Sequence, residues 1–487
     1  MVTVAALVVA LVVVADRLFP PPLERLRDVS STVCDRSGAP LRVFTSRAGT
    51  WRLPADGISS AYIIPAYIEL LVAYEDRRFR SHSGVDAMAL VRALGQNLAA
   101  GRVVSGASTL TMQVARLLEP HRRTLPGKLL EMLRALQLER RFDKSAILDM
   151  YLTLAPFGGP LEGVRAAAWA YFAKSPRELN LAEAALLVSL PQAPGRLRPD
   201  RAPAEARSAR DKVLGRGVAA GVIAGRQARE AREEPVPTVM QPFPGLAPHL
   251  TAELLVRHPG AVMVASTLDG GLQRQLEAVA RRELPSLVEH GGLAILVADN
   301  ATRAIIGHVG APAAHDDARN GWIDMTRAVR SPGSALKPFI YGLGFDDRVV
   351  HPETLVSDVS TRFGDYAPAN FDRGFHGEMT IREALQLSLN VPAVLVLERI
   401  GPMRFAERLR GAGTRLVFPR KTVEPGLPLA LGGVSVNLWD LTALYVGLAR
   451  GGAVVPLTAE PGVGAGVGVG AGVGVGAGVG VGAGVGV

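Results

Sequence analysis

Residues 75–86 read "EDRRFRSHSGVD" and carry the strongest signal in this sequence. They overlap the segment "PAYIELLVAYEDRRF", in which Ile68, Leu71, Val72 and Glu75 are spaced i, i+3, i+4 and i+7. That spacing predicts an amphipathic helix whose apolar face leads into an acidic end. Because a Glu-Asp pair alone is typical of a solvated helix end, its chemistry must be judged together with the strings that follow it.

Three further strings follow in order. Residues 106–120, "GASTLTMQVARLLEP", place hydroxyls and free N–H groups at a helix start, which suits an anion as well as an ordinary N-cap. Residues 127–139, "GKLLEMLRALQLE", place Lys128 and Glu131 on one helical face, where a surface ion pair would also lie. Residues 151–159 read "YLTLAPFGG".

These four strings, spread over about 85 residues, resemble the motifs of the family 51 glycosyltransferases. Gly127 stands where the family has arginine, and Thr153 where it has asparagine. The resemblance implies an all-α, lysozyme-like glycosyltransferase domain over residues 61–230. The positions that match are Glu75, Asp76, Phe79, His82, Gly84, Gly106, Ser108, Thr109, Gln113, Lys128, Glu131, Ala135, Leu138 and Glu139.

The resemblance also implies roles for these residues in polymerising lipid II with release of undecaprenyl diphosphate. Glu75 would act as the general base on the attacking 4-hydroxyl. Glu131 would be a second catalytic carboxylate that supports a metal or orients basic groups around the leaving diphosphate. No cofactor is required, and a divalent cation is left open. The residues expected to bind substrate are Asp76, Phe79, His82, Gly106, Ser108, Thr109, Gln113 and Lys128.

The second half of the chain contains "RSPGSALKPFIYGL" at residues 330–343, with Ser334 and Lys337 at i, i+3. An unprotonated lysine there could activate the serine as a nucleophile. Together with "SLN" at 388–390, the string resembles the penicillin-binding transpeptidases, an α+β domain similar to β-lactamases. The resemblance makes Ser334 and Lys337 catalytic, and Ser388 and Asn390 substrate-binding. The chain is therefore similar to class A penicillin-binding proteins of the 1C type.

The third transpeptidase motif, Lys-Thr-Gly, is not found. Lys421 and Thr422 are followed by Val423, and they precede the stretch after which the family carries the motif on a core strand. Four copies of Gly-Ala-Gly-Val-Gly-Val occupy 464–487 instead, and such a segment has no large side chains with which to build a core. We therefore expect an incomplete transpeptidase domain over 265–460, weak or absent transpeptidation and β-lactam acylation, and a disordered Gly/Val tail.

Residues 2–15 carry no charge, but the run is shorter than the roughly 20 apolar residues of a full span. We interpret residues 1–19 as a transmembrane anchor; a cleaved signal sequence or a buried helix are the alternatives. The resemblance places the catalytic domains outside a bacterial cytoplasmic membrane that the chain crosses once. The remaining predicted segments are a linker and hairpin region at 20–60, a linker at 231–264 and the low-complexity repeat at 461–487.

The composition fits a globular protein, with 48% hydrophobic and 20% charged residues. The net charge of +9 suits an anionic partner. No zinc-knuckle spacing or aromatic-basic strip is present, so nucleic acid is not expected. The single cysteine, Cys34, cannot form an internal disulfide. The resemblance implies lipid II, the growing glycan strand and the cytoplasmic membrane as partners, and it allows contacts with other cell-wall synthesis proteins.

Two other functions remain open at this point. A membrane-anchored scaffold would bind wall precursors without catalysis, although the complete set of carboxylate motifs argues against it. A lysozyme-like hydrolase would cut finished glycan with one acidic residue in a helical domain. Such a hydrolase has no need of the Ser-Thr-x-x-x-Gln and Lys-x-x-Glu sets that suit a diphosphate.

Overall fold

The computed structural model describes residues 17–53, 63–92, 108–122, 124–288, 291–419 and 424–462. Most of the predicted anchor, the segment Lys421–Val423 and the repeat from residue 463 onward lie outside these ranges. Within them, no helix is both long and apolar enough to cross a membrane. Helices and strands are numbered below in chain order, counting those whose two ends are described.

The chain folds as two compact units. The first comprises the residues up to Thr32, Val43–Pro244 and Gly260–Val262, and the second comprises Val33–Arg42, Gly245–Pro259 and the residues from Met263 onward. The predicted hairpin near residue 37 is present, with strands β1 (Thr32–Cys34) and β2 (Pro40–Val43) as neighbours in one sheet. The Asp35 carboxylate accepts hydrogen bonds from the N–H groups of Ser37 and Ala39, which closes the turn between the strands.

The first unit is mainly helical, as the sequence predicts. Helix α7 (Leu181–Ser189) is buried on nearly all sides, because its sequence "LAEAALLVS" is small or apolar at every position except Glu183. A capping box between Asn180 and Glu183 fixes its first turn. The helices of this unit are α1 (Glu24–Arg27), α2 (Pro65–Glu75), α3 (Leu110–Leu118), α4 (Leu125–Arg141), α5 (Lys144–Leu154), α6 (Val164–Phe172), α7 (Leu181–Ser189), α8 (Pro203–Ala219) and α9 (Gly225–Glu233).

The all-α prediction for this region missed a small sheet. Strands β3 (Trp51–Arg52), β4 (Pro156–Gly158) and β5 (Leu161–Glu162) form it in the order β3-β5-β4, with β3 and β5 parallel. Strands of two or three residues are too short to show an alternating pattern, so no strand could be predicted there.

A buried ion pair joins the edge strand of this sheet to its centre. Arg52 is only 1% exposed, and its Nε and Nη2 donate to Glu162 Oε2 at 2.7 and 2.5 Å. Its Nη1 donates to the carbonyl of Arg25 at 2.7 Å and also to that of Asp28. Arg25 pairs with the other Glu162 oxygen at 2.7 Å. Every charge in this network therefore has a partner, as a buried charge requires.

The predicted linker at 231–264 is only partly irregular. Residues 235–244 contain no helix or strand, whereas residues farther along form helix α10 (Pro248–Arg257). Pro248 occupies the first turn of α10, where a missing N–H is tolerated.

The second unit mixes strands and helices, as expected. Strand β6 (Met263–Ala265) lies beside β1, and β7 (Ile295–Ala298) pairs antiparallel with β8 (Ile305–Val309). Helix α12 (Lys337–Asp346) packs against α14 (Asn390–Ile400) in a core that includes Ile340, Tyr341 and Val394. The remaining elements are α11 (Gly270–Glu283), α12 (Lys337–Asp346), β9 (Leu355–Asp358), β10 (Gly377–Thr380), α13 (Ile381–Gln386), α14 (Asn390–Ile400), α15 (Pro402–Gly411) and α16 (Leu438–Ala449).

The Arg52 network gives a stability prediction for the first unit. Arg52→Ala leaves Glu162 without its main partner, so we expect the free energy of unfolding to fall by about 3 kcal/mol. The matched control is Arg226→Ala, because Arg226 pairs with Glu230 on an exposed helix face and such pairs contribute little. Urea denaturation of both variants measures the difference. Equal midpoints for the two variants would contradict the structural role of Arg52.

Candidate functional site

Glu75 is the last residue of α2, where the apolar face of that helix ends. Its carboxylate is held by two side-chain amides: Gln113 Nε2 donates to Oε2 at 2.9 Å, and Gln192 Nε2 donates to Oε1 at 3.0 Å. Gln192 in turn accepts a hydrogen bond from the Tyr74 hydroxyl at 3.1 Å. Both amides are neutral, so they orient Glu75 without neutralising it, which leaves the carboxylate able to accept a proton.

Asp76 has a different role from the one expected. Its carboxylate is buried, accepts the Leu110 N–H at 3.0 Å and lies 3.0 Å from Nε2 of His82. These contacts are internal, so Asp76 and His82 position the start of α3 rather than present free groups to a substrate. His82 and Asp76 both come from the first sequence string, and Leu110 from the second, which explains why the two strings occur together.

Phe79 and Thr109 were also expected to bind substrate, and both are buried. Phe79 is 2% exposed and packs in the core, with the Lys144 ammonium 4.6 Å from the centre of its ring. Thr109 is the N-cap of α3, accepting the Met112 N–H at 3.1 Å and donating to the Gly84 carbonyl at 2.5 Å. Both residues therefore act as structural supports. Gly106 lies outside the described residues.

A second carboxylate, Glu131, lies on α4 beneath three basic groups. Lys128 Nζ donates to its Oε2 at 2.8 Å, while His121 Nε2 and Arg116 Nη1 lie 3.5 and 3.6 Å from its Oε1. Lys128 also donates to Ser108 Oγ at 3.0 Å. Glu131 is almost fully buried, whereas the basic groups keep part of their surface open to solvent. The arrangement is a basic surface over a buried carboxylate.

Helix α3 connects the two carboxylates. Gln113 and Arg116 are three residues apart and lie on the same side of α3. Gln113 contacts Glu75, and Arg116 faces Glu131. A proton acceptor and a cationic surface are thus held by one short rigid element. This is the pair of features needed when a hydroxyl attacks and an anionic group departs.

The groups closest to Glu131 are basic: Lys128, His121 and Arg116 lie within 3.6 Å of its carboxylate oxygens. Among the described residues, no group of three or more His, Cys, Asp or Glu side chains could hold a metal. Of the two expectations for Glu131, the geometry favours the one in which it orients basic groups.

The two departures from the family motifs have different structural settings. A Cβ atom at Gly127 would lie 2.6 Å from both the Arg122 carbonyl oxygen and His121 Cδ2, so the imidazole occupies the space of a larger residue. Thr153 is buried on α5, and its hydroxyl donates to the Asp149 carbonyl at 2.8 Å. Burial raises the pKa of Asp149 to about 6, with a further contribution from Asp143.

The second unit joins Lys337, Ser388 and Asn390 by hydrogen bonds, and Ser334 precedes Lys337 by three residues. Ser334 lies in a 3-10 turn, Gly333–Leu336, rather than on an α-helix, and Lys337 begins α12. In a 3-10 turn, residues i and i+3 eclipse each other, so both side chains still lie on one side. Ser334 is exposed, as a nucleophile must be, and Lys337 is buried.

Lys337 is held by the Ser-Leu-Asn string. Its Nζ donates to the Ser388 carbonyl at 2.5 Å, to Ser388 Oγ at 3.3 Å and to Asn390 Oδ1 at 2.7 Å. Within the described chain these three oxygens, and not Ser334 Oγ, are the acceptors that Lys337 contacts. Burial lowers the pKa of Lys337 to about 8, which makes the neutral amine accessible near physiological pH.

Three residues of the first site were not singled out from the sequence. Gln192 lies in the string "SLPQAP", just after a buried helix, and nothing in that string indicates a contact with Glu75. Arg116 and His121 lie within or just after the second string. The three-residue spacing of Gln113 and Arg116 was a usable signal, because it places them on one face.

Each of the two units matches a known protein family. The transglycosylase family matches residues 51–218. The family described as the penicillin binding protein transpeptidase domain matches residues 293–456. The first range contains Glu75 and Glu131, and the second contains Ser334, Lys337 and Asn390.

Individual relatives agree with these matches. Penicillin-binding protein 1C of Escherichia coli (strain K12) is 46% identical over 447 residues, covering 92% of this chain and 57% of that protein. Penicillin-binding protein 1F of Bacillus subtilis (strain 168) is 30% identical over 394 residues, covering 77% and 53%. The chain thus spans a little over half the length of these relatives. The crystal structure of penicillin-binding protein 1A from Haemophilus influenzae aligns with a TM-score of 0.47 at 17% identity, covering 89% of this chain and 70% of that one.

The lowered pKa of Lys337 predicts a pH dependence of stability. Between about 8 and the ordinary value of 10.5, the unfolded chain binds a proton that the folded chain does not. Stability therefore rises with pH in this window, by about 1 kcal/mol per pH unit, and is flat below it with respect to this group. Urea denaturation at pH 7, 8 and 9 measures it against Lys337→Met, which lacks the group. A wild-type slope equal to that of the variant would disprove the lowered pKa.

Proposed function

The chain belongs to the class A penicillin-binding proteins, and on that premise we propose that it is a peptidoglycan glycosyltransferase that polymerises lipid II into glycan strands. The observation that carries this proposal is the pairing of Glu75, held by two neutral amides, with the basic groups over Glu131. Gln113 of α3 holds Glu75, the proton acceptor, and Arg116 on the same side of α3 supplies positive charge near Glu131. The match of the transglycosylase family to this unit supports the same reaction.

The proposed reaction assigns a step to each group. The 4-hydroxyl of one lipid II attacks the anomeric carbon of the growing strand while Glu75 takes the hydroxyl proton. The bond from that carbon to the diphosphate oxygen breaks, and its electron pair leaves with undecaprenyl diphosphate. Lys128 and Arg116 stabilise the negative charge that develops on this leaving group, and Ser108 holds the Lys128 ammonium in place.

The positive surface distinguishes this proposal from the two alternatives. A glycan hydrolase acts on a neutral leaving group and gains nothing from basic side chains over a buried carboxylate. A scaffold without catalysis has no use for a carboxylate oriented at both oxygens, as Glu75 is by Gln113 and Gln192. We therefore favour the transferase over the hydrolase and the scaffold.

Substrate and surroundings follow from the same premise. We propose that the growing glycan strand occupies the unit of Glu75, and that residues 1–19 anchor the chain to the cytoplasmic membrane with both units on its outer side. Because basic side chains supply the positive charge near the leaving group, we propose that polymerisation requires no cofactor. Contacts with other cell-wall synthesis proteins belong to the same proposal.

We further propose that the transpeptidase unit acylates weakly. Lys337 donates to Asn390 Oδ1 at 2.7 Å, but the 487 residues contain no Lys-Thr-Gly after Asn390. That motif supplies the strand that binds the substrate carboxylate in the family. Without it, a substrate would be poorly oriented over Ser334, and orientation accounts for much of an enzyme's rate.

Removing the proposed base tests the first activity. Glu75→Gln keeps the size of the side chain but cannot accept the proton, so we expect the rate of glycan polymerisation from lipid II to fall by about 10²–10⁴-fold. The matched control is Glu69→Gln, the same change at an exposed position of the same helix, which should leave the rate unchanged. A Glu75→Gln variant that polymerises at the control's rate would refute the assignment.

Labelling with a fluorescent penicillin tests the second activity. We expect the wild-type chain to give at most a faint band above that of Ser334→Ala after the same incubation, because its sequence contains no Lys-Thr-Gly. A complete class A penicillin-binding protein in the same gel controls for the reagent. Strong wild-type labelling that disappears in Ser334→Ala would show that Lys-Thr-Gly is dispensable here.

A further inference from the structure

His121 occupies an unusual position that the reaction described above does not use. Its ring lies against the first turn of α4, where a Cβ at Gly127 would approach its Cδ2 to 2.6 Å. From there its Nε2 reaches to 3.5 Å from Glu131 Oε1. The glycine that departs from the family pattern thus makes room for an imidazole aimed at the buried carboxylate.

The contacts of His121 orient its ring. Its Nδ1 lies 2.8 Å from the carbonyl oxygen of Glu119, and a carbonyl can only accept, so Nδ1 donates that hydrogen bond. The opposite ring nitrogen, Nε2, is thereby directed toward the Glu131 carboxylate.

The charges around Glu131 then leave an excess. Arg116 and Lys128 contribute two positive charges against the one negative charge of Glu131, and the imidazole of His121 is a third basic group beside them. The three basic side chains are 30%, 18% and 32% exposed, whereas Glu131 is 5% exposed. The positive charge therefore faces outward and the carboxylate lies beneath it, as suits binding of a compact dianion or trianion.

We propose that His121 is a diphosphate-binding residue of this site, with its imidazole in the space beside Gly127, the position at which the family motif has arginine. This inference rests on the proposed function for the identity of the natural ligand, a lipid-linked sugar diphosphate. It concerns this chain's own pairing of His121 with Gly127. His121 binds the diphosphate together with Lys128 and Arg116, and it orients Glu131 between them.

Two substitutions separate this role from a purely structural one. His121→Asn keeps a donor near the position of Nδ1 for the Glu119 carbonyl but has no group facing Glu131. His121→Lys loses that donor but supplies a cation that can reach Glu131. If His121 binds the diphosphate, the His121→Lys variant keeps this binding and the His121→Asn variant loses it. If His121 only packs and caps the segment, the His121→Asn variant keeps the binding and the His121→Lys variant loses it.

The experiment measures binding of inorganic pyrophosphate to the full chain in detergent by calorimetry, with the KM and kcat for lipid II alongside. We expect His121→Asn to raise the dissociation constant and the KM about tenfold with kcat little changed, and His121→Lys to restore both to within about threefold. Arg140→Asn removes one charge at the other end of α4 and should change neither the dissociation constant for pyrophosphate nor the KM for lipid II. Thermal melting confirms that all variants fold.

The two proposals fail in different ways. If His121→Asn binds pyrophosphate as tightly as the wild-type chain, or if Lys fails where Asn succeeds, the role of His121 is refuted whatever the polymerisation assay gives. If the wild-type chain binds pyrophosphate through His121 but does not polymerise lipid II, the glycosyltransferase proposal fails and the binding role of His121 stands.

Discussion

The hydrogen bond from the Leu110 N–H to the Asp76 carboxylate is the constraint on which the first site depends. It fixes the point at which α3 begins relative to the end of α2, and Thr109 strengthens it by capping the same turn. Once α3 begins there, Gln113 faces Glu75 and Arg116 faces Glu131 without further adjustment. A buried acceptor for a helix N-terminal N–H is worth about 1 kcal/mol or more, and its loss would also leave a charge unpartnered.

The same logic explains why several motif residues are buried. Asp76, Phe79 and Thr109 hold the segments that carry the reactive groups, and Gly84 lies at a φ of +90°, where its missing Cβ allows contact with the Ala135 carbonyl. A motif in a sequence therefore mixes groups that act on a substrate with groups that place them. In the second unit, Lys337 depends in the same way on Ser388, whose φ of +53° belongs to the left-handed region.

Much of this architecture could be predicted from the sequence, and the exceptions have physical reasons. Helical periodicity predicted α2 and α4, because this pattern is local. Strands β3 and β5 are too short for any periodicity, and α10, with Pro248 in its first turn, lies in the segment that was predicted as a linker. The carboxylates, Lys128 and Ser334 were identified by resemblance. Gln192 and His121 were not, because their contacts join segments that the sequence does not show to be adjacent.

We propose that the unit of Glu75 and Glu131 joins lipid-linked disaccharides. Incubating the purified chain with radiolabelled lipid II and separating the products by size tests this directly. We expect glycan strands of increasing length together with free undecaprenyl diphosphate. Lipid II that remains intact, or finished lipid-free glycan that is cut into fragments by the same preparation, would contradict it.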